Sequence, residues 1–373
     1  MRLRNSGIAA LLAALTIACY YGVVAAPGPV ATPLKGFSAP FVYGRFEVPE
    51  DNPLTEESVV LGRRLFYDRR LSGDNAVSCS TCHIQRLAFT DGKPTGVGVS
   101  HKPLAFNSMS LANLLWGPRH FFWNGRVTSL EQQALVPLQN PDEMAQDPEQ
   151  LISELGEDPN YRELFAVAYG EISLTAVSAA LASFERTLVS SNSRYDRFLR
   201  GELALSEAEE LGRKLFTAHP DVKASRRGAN CIDCHSQFLT SGFSTGFDGF
   251  ANNGLDAEGV LPAGLQEVTG KPEHRGLFKV PTLRNIALTA PYMHDGRFRT
   301  LKQVLDHYDS GIKKSGTLSA LIREADNLHK NSQDRISLNL TEPEKTAIIA
   351  FLLTLTDEEF VTAEQFSSPF SQK

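Results

Sequence analysis

Beyond its first 26 residues the chain has no apolar run approaching the roughly 20 residues that a membrane-crossing helix needs, which excludes such a span from the mature protein. It has no surplus of positive charge: 37 Lys and Arg stand against 43 Asp and Glu, a formal charge of -6, which argues against nucleic acid as a partner. No convincing run of polar–apolar alternation marks strands. Methionine and tryptophan are scarce, at four and two. Of five cysteines, Cys19 lies in the opening segment and the other four fall into two close pairs, so no mature cysteine is left over for a disulfide. What remains is an ordinary globular mix in 373 residues, enough for two or three domains.

The opening segment reads as a secretory signal peptide over residues 1–26. Arg2 and Arg4 supply the positive start, Ile8 to Val24 is almost wholly apolar, and Ala25 and Ala26 are small enough for cleavage. An uncleaved anchor helix and lipid attachment at Cys19 are the rival readings. Removal of this segment takes two arginines with it and changes the formal charge from -6 to -8. The expected compartment is the periplasm.

The cysteines then decide the chemistry. Cys79-Ser-Thr-Cys82-His83 and Cys231-Ile-Asp-Cys234-His235 are two C-x-x-C-H motifs, the pattern of covalent c-type haem attachment. Both thiols of a pair add to the haem vinyl groups and the following histidine reaches the iron. A redox dithiol or a zinc site needs no histidine directly after the pair, and here it occurs twice.

The two haem segments look duplicated. Leu61-Gly-Arg-Arg-Leu-Phe66 precedes the first and Leu211-Gly-Arg-Lys-Leu-Phe216 the second, and the spacing from Leu61 to His83 is nearly that from Leu211 to His235. Helix starts are expected at Thr55 and at Ser206, the latter with capping-box spacing to Glu209. Helical periodicity marks 128–138, 148–169 and 174–188, and Thr341-Glu-Pro-Glu344 caps an apolar run to Leu355. The stretch 238–276 reads as loop and 191–201 as a linker. The expected class is all-α, with two cytochrome c-like haem domains side by side, 27–200 and 201–373, and the helix ending near Leu355 packed on the second.

A second axial ligand decides whether a haem carries electrons or binds a substrate. Methionine is the usual one, but the mature chain offers only Met109, Met144 and Met293, none with a spacing that announces a ligand.

Four further stretches carry a specific likeness: Phe121-Phe-Trp-Asn-Gly-Arg126, Ser129-Leu-Glu-Gln-Gln-Ala134, Phe278-Lys-Val-Pro-Thr-Leu-Arg-Asn-Ile286 and Leu288-Thr-Ala-Pro-Tyr-Met-His-Asp-Gly296. With the two haem motifs, they make residues 45–357 resemble the bacterial di-haem cytochrome c peroxidases and their MauG relatives. The resemblance implies that the first haem is the peroxide site. It places a Gln, a Pro and a Glu at fixed offsets after the signature Trp, and at those offsets from Trp123 stand Gln133, Pro137 and Glu143. Glu143 is then the candidate acid–base group and Gln133 the hydrogen-bond partner of bound peroxide. Trp123 is the candidate relay between the haems. One calcium ion is implied, held by the Asn107 side chain and the carbonyls of Thr289 and Pro291. At a fixed offset after the histidine that is His294 here, the family's peroxidases carry a Met and its MauG branch a Tyr; in this chain Tyr308 stands there. Tyr308 is therefore the candidate distal ligand of the second haem, with His307 or a methionine as the rival. A phenolate, as a hard anionic donor, would lower that haem's potential relative to Met. His101, downstream of His83, is either a cap on the first iron or an exposed loop residue.

The resemblance thus implies a MauG-like oxidase that uses hydrogen peroxide at the first haem, with both haems sharing the oxidising equivalents, to oxidise a Trp or Tyr of a partner protein at long range. Its early segments, 48–54 and 62–73, resemble the branch associated with methanobactin. The alternative is a cytochrome c peroxidase fed with electrons by a small cytochrome c or cupredoxin. A plain di-haem electron carrier would need both irons closed, which the Gln133, Pro137 and Glu143 set opposes.

Overall fold

A computed structural model describes residues 32–40, 42–116, 120–238, 249–330 and 335–370. The expected signal peptide and Cys19 lie outside these residues. The fold is mostly helical with one small two-stranded sheet.

The first helix, α1 (Glu56–Tyr67), starts where Thr55 accepts from the Ser58 amide while the Ser58 hydroxyl accepts from the Thr55 amide, which satisfies two amides that a helix start leaves without partners. A short turn, α2 (Cys79–Cys82), carries the first cysteine pair. Then follow α3 (Leu130–Gln139), α4 (Pro148–Glu157), α5 (Pro159–Ala168) and α6 (Leu174–Thr187). The single helix expected over 148–169 is two helices. Pro159 lacks an amide hydrogen and disfavours a helical conformation at Asp158, so the chain breaks there and Asp158 caps α5.

The expected linker at 191–201 contains a helix instead, α7 (Arg194–Leu199), capped reciprocally by Ser193 and Asp196. Its small polar residues are caps rather than a flexible tether, and Tyr195 and Asp196 are buried. α8 (Glu207–Thr217) begins at the expected Ser206–Glu209 capping box.

The stretch expected as loop also holds structure: β1 (Phe250–Ala251), α9 (Gln266–Thr269) and several single turns. β1 pairs antiparallel with β2 (Phe278–Lys279). The fold is thus mostly helical, as expected, with this small sheet added to it, and two residues per strand are too few to show as alternation. The chain closes with α10 (Leu301–Asp306), a π-helical turn His307–Gly311, α11 (Ala320–Glu324), α12 (Glu342–Leu353) and α13 (Glu358–Thr362).

The core falls into two main clusters. In the first, α1 crosses α6 and Phe66 packs on Phe184 with ring centres 5.2 Å apart. In the second, α8 crosses α12 and Phe216 packs on Phe351 at 5.6 Å. The duplicated L-G-R-[RK]-L-F segments therefore make the same contact twice. After α12 the chain turns back, and Phe360, Val361 and Phe366 join the first cluster.

Candidate functional site

α2 delivers Cys79 and Cys82 with His83 just after its last turn. The chain then reverses through Ala88 and Phe89, both left-handed with φ 51° and 62°. That reversal brings the Phe89 carbonyl to His83, whose Nδ1 lies 2.8 Å from it. A carbonyl can only accept, so Nδ1 carries the proton and Nε2 keeps its lone pair for a metal. Burial lowers the His83 pKa, which keeps the ring neutral. At the second pair, His235 Nδ1 lies 3.2 Å from the Pro281 carbonyl, and burial lowers its pKa to about 4. Burial likewise raises the pKa of all four thiols. Both histidines thus have the tautomer that an iron ligand needs.

Cys79, Cys82 and His83 border a cavity of about 600 Å³. Gln133, Pro137 and Glu143 border the same cavity, so the trio predicted by offset converges on the first haem motif. The Gln133 Oε1 atom is buried without a hydrogen-bond partner, an acceptor left for a ligand with a proton to donate. Glu143 sits in the turn after α3, where Asn140 Nδ2 donates to its Oε1 at 3.1 Å and the Val99 amide donates to its carbonyl at 2.8 Å. Gly98 lets the loop before Val99 lie against it: a Cβ there would overlap the Glu143 backbone. Burial raises the Glu143 pKa, and the Arg126 guanidinium, stacked 3.6 Å from the Phe122 ring centre, pulls it back down. Two cysteines, an imidazole oriented through its Nδ1, and an unpartnered amide oxygen on one cavity fit a covalently held haem with room for a small ligand.

Trp123 Nε1 donates to the Asn107 carbonyl at 2.9 Å, and the Asn107 amide donates to the His294 carbonyl at 2.8 Å. The Trp123 ring lies 6.4 Å from that of His294, which stacks on Phe278 at 3.7 Å. The expected calcium residues Asn107, Thr289 and Pro291 all border the cavity. The Asn107 side-chain Nδ2 donates to the carbonyls of Lys93 and Pro94, at 2.8 and 3.3 Å. Among the described residues no cluster of three His, Cys, Asp or Glu could hold a metal, and the expected calcium donors are an amide and two carbonyls. His101 is exposed, with φ 57°, and is not among the residues bordering the cavity.

At the second pair, Tyr308 packs in the second core cluster, and its electrostatic coupling to Cys231 and Cys234 marks it as their neighbour. Burial raises its pKa to about 12. Asn253 Nδ2 lies 3.3 Å from the Tyr308 hydroxyl and 3.5 Å from the Met293 sulfur. His307 turns its Nε2 to the Asn253 carbonyl at 3.0 Å. That nitrogen is occupied as a donor.

Arg126, Glu185 and Lys279 also border the first cavity, and nothing in the sequence assigned them to it. Arg126 is, in sequence, simply the last residue of the Phe121–Arg126 motif. Glu185 and Lys279 are ordinary charged residues in sequence, yet both border the cavity and are buried.

A family model described as di-haem cytochrome c peroxidase matches residues 56–204. The methylamine utilization protein MauG of Methylorubrum extorquens is 37% identical over 83% of this chain and 81% of its own length. Cytochrome c551 peroxidase of Nitrosomonas europaea is 32% identical over 91% of this chain and 87% of its own. Among solved structures, a MauG-like protein associated with microbial copper homeostasis superposes with a TM-score of 0.75 at 36% identity, covering 89% of this chain and 99% of that one.

Proposed function

We propose that this chain, which belongs to the di-haem cytochrome c peroxidase and MauG family, is an exported MauG-like oxidase whose reducing partner is a Trp or Tyr side chain of another protein. It is a haem peroxidase-type oxidoreductase acting on hydrogen peroxide, and its family implies two c-type haems. No helix among the described residues is long and apolar enough to cross a membrane. Export rests on the expected signal peptide, and the periplasm is the proposed compartment. The proposed organisation is two haem domains packed side by side, supported by the two core clusters and their repeated helix crossing.

Cys79, Cys82 and His83 would hold the first haem, and Cys231, Cys234, His235 and Tyr308 the second. The haems supply the one-electron steps by which peroxide takes up two electrons. Glu143 accepts a proton from one peroxide oxygen and returns it to the other, so that the departing oxygen leaves as water. Gln133 Oε1 accepts a hydrogen bond from the peroxide and orients it, while Pro137 walls the cavity. Trp123 lies on the route for an electron drawn from the partner. Asn107, Thr289 and Pro291 would hold one calcium ion beside it.

The observation that carries this reading is the meeting of Gln133, Pro137 and Glu143 with Cys79, Cys82 and His83 on one cavity. The MauG-like branch rests on Tyr308 standing beside the second cysteine pair. EPR of the oxidised holoprotein tests it. One high-spin and one low-spin ferric haem, both signals lost on adding stoichiometric peroxide, is the expected result. Two low-spin haems that ignore peroxide until one is reduced would favour the cytochrome c peroxidase reading instead, with His101 as the cap. Tyr308→Met should raise the second haem's potential and abolish oxidation of the partner in a folded protein. An unchanged potential would remove Tyr308 as a ligand.

A further inference from the structure

β2 carries a buried cation that none of the roles above uses. Lys279 is 3% exposed and borders the cavity shared by His83, Gln133 and Glu143. Its Nζ donates to the His120 carbonyl at 2.8 Å and lies 5.0 Å from the Phe121 ring centre. No carboxylate among the described residues forms an ion pair with it. Burial alone pulls its pKa down from the usual lysine range to about 7.

A neutral carbonyl and a ring face offset only part of what an ammonium loses on leaving water, so a buried lysine of this kind calls for a counter-charge. Its place in the chain is equally specific. The Lys279 amide donates to the Trp123 carbonyl at 2.9 Å, and two residues further on, past the end of β2, the Pro281 carbonyl accepts from His235 Nδ1. Lys279 therefore lies in the segment 279–281, which is hydrogen-bonded to the Trp123 loop and to the second haem motif, and it borders the cavity beside the first.

We propose that Lys279 is the anchor for a haem propionate: its ammonium pairs with a carboxylate of the haem held by Cys79, Cys82 and His83, and this ion pair holds that haem's reduction potential up. Reduction adds an electron to the iron. A propionate whose charge is neutralised opposes that electron less than an unpaired one, so the cation favours the reduced state. The ligand is thus a carboxylate fixed to the cofactor rather than a free anion. Lys279 is a positioning residue and does not touch peroxide.

The inference rests on the di-haem reading, and the experiment separates the two. Intact mass of the purified holoprotein counts the haems, and fewer than two on the wild type would sink both. With two haems present, spectroelectrochemical titration of Lys279→Met should show the first haem's midpoint shifted to lower potential and the second's nearly unmoved. Lys279→Arg, which keeps the charge, should restore it. A midpoint that stays put in the methionine variant, a shift confined to the second haem, or equal shifts in both variants would overturn the proposal. Should the methionine variant fail to fold, resonance Raman spectra of the wild type in H2O and D2O decide. The propionate bending band of the first haem should move on exchange, as it does for a carboxylate accepting from an N–H. A band without a shift would overturn the anchor.

Discussion

At the scale of single residues, two of the carboxyls that border the first cavity, Glu143 and Glu185, stand in different surroundings. Glu143 has Arg126 to draw its pKa down and Asn140 to hold it, against burial. On its proposed role, Glu143→Gln keeps the shape and removes the proton acceptor, so the second-order rate with peroxide should fall by on the order of 10²-fold. Stopped-flow absorbance reads it, and an undiminished rate would take Glu143 out of the chemistry. Glu185, 4% exposed with Oε2 unpartnered, is different: burial raises its pKa from 4.5 to about 8. A raised carboxyl holds its proton in the folded state when the unfolded chain has already lost it. Its contribution to stability is therefore full below about pH 4.5 and is lost as pH rises through about 8. Denaturant unfolding across that window should show a fall of up to about 1.4 kcal/mol per pH unit from this one group. Glu185→Gln should flatten it, and an equally steep profile in the variant would refute the assignment. The two carboxyls also differ in legibility. Glu143 could be found because its offset from Trp123 is a short-range pattern. Glu185 could not, because a glutamate in an amphipathic helix reads as solvated until the neighbouring helices are in place.

At the scale of elements, the repeated Gly of L-G-R-[RK]-L-F is where each opening helix meets its partner. A Cβ on Gly62 would overlap the Ala180 carbonyl, and one on Gly212 the Ala347 carbonyl. The helices approach so closely only because these positions lack a side chain. Gly212→Ala should cost about 1–3 kcal/mol by overpacking, measured as a drop in the denaturant midpoint, although alanine is the better helix former. A stabilised variant would show that the crossing can open without penalty. The duplication was legible as a pattern, and the first leucine of each repeat shows its limit: Leu61 is fully buried whereas Leu211 is 45% exposed. The same sequence element has been covered on one side only. The helix starts at Thr55, Ser206 and Thr341 were legible for a simpler reason, since a cap involves residues within a single turn of one another. The two-residue strands and the helix inside 191–201 were not, because they are shaped by long-range packing more than by local propensity.

At the scale of the whole molecule, Arg284 and Asp196 form a buried ion pair at 2.6 Å, and the guanidinium also lies 4.9 Å from the Tyr43 ring centre. It thereby ties three distant stretches of chain. Arg284→Met would leave Asp196 buried without its partner, at about 3–5 kcal/mol. Pairing it with Asp196→Asn should recover part of that loss in a double-mutant cycle of thermal unfolding. Strict additivity of the two changes would mean that the pair is not coupled. A second tie is Asp357, which accepts from the Ser190 hydroxyl and the amides of Asn192 and Phe360 just before the chain returns to the first cluster. Phe360 then packs on Phe89, ring centres 5.5 Å apart, and Phe89 is the residue whose carbonyl orients His83. The last helices thus brace the first haem motif, which lies near the opposite end of the described chain.

The two C-x-x-C-H motifs, the helix starts and the residue types of the proposed peroxide pocket could all be read along the chain. Each of these is written in residues close along the chain, as in Cys79 to His83 or Trp123 to Glu143. Which carbonyl holds Nδ1 of His83 and of His235, and that Glu185 and Lys279 are buried beside the cavity, appear first in the folded chain. It alone brought residues 79–83, 133–143 and 279–293 to one place. Those properties depend on what stands across the interior from each side chain, and burial acts on a charge through surroundings that the local sequence does not contain.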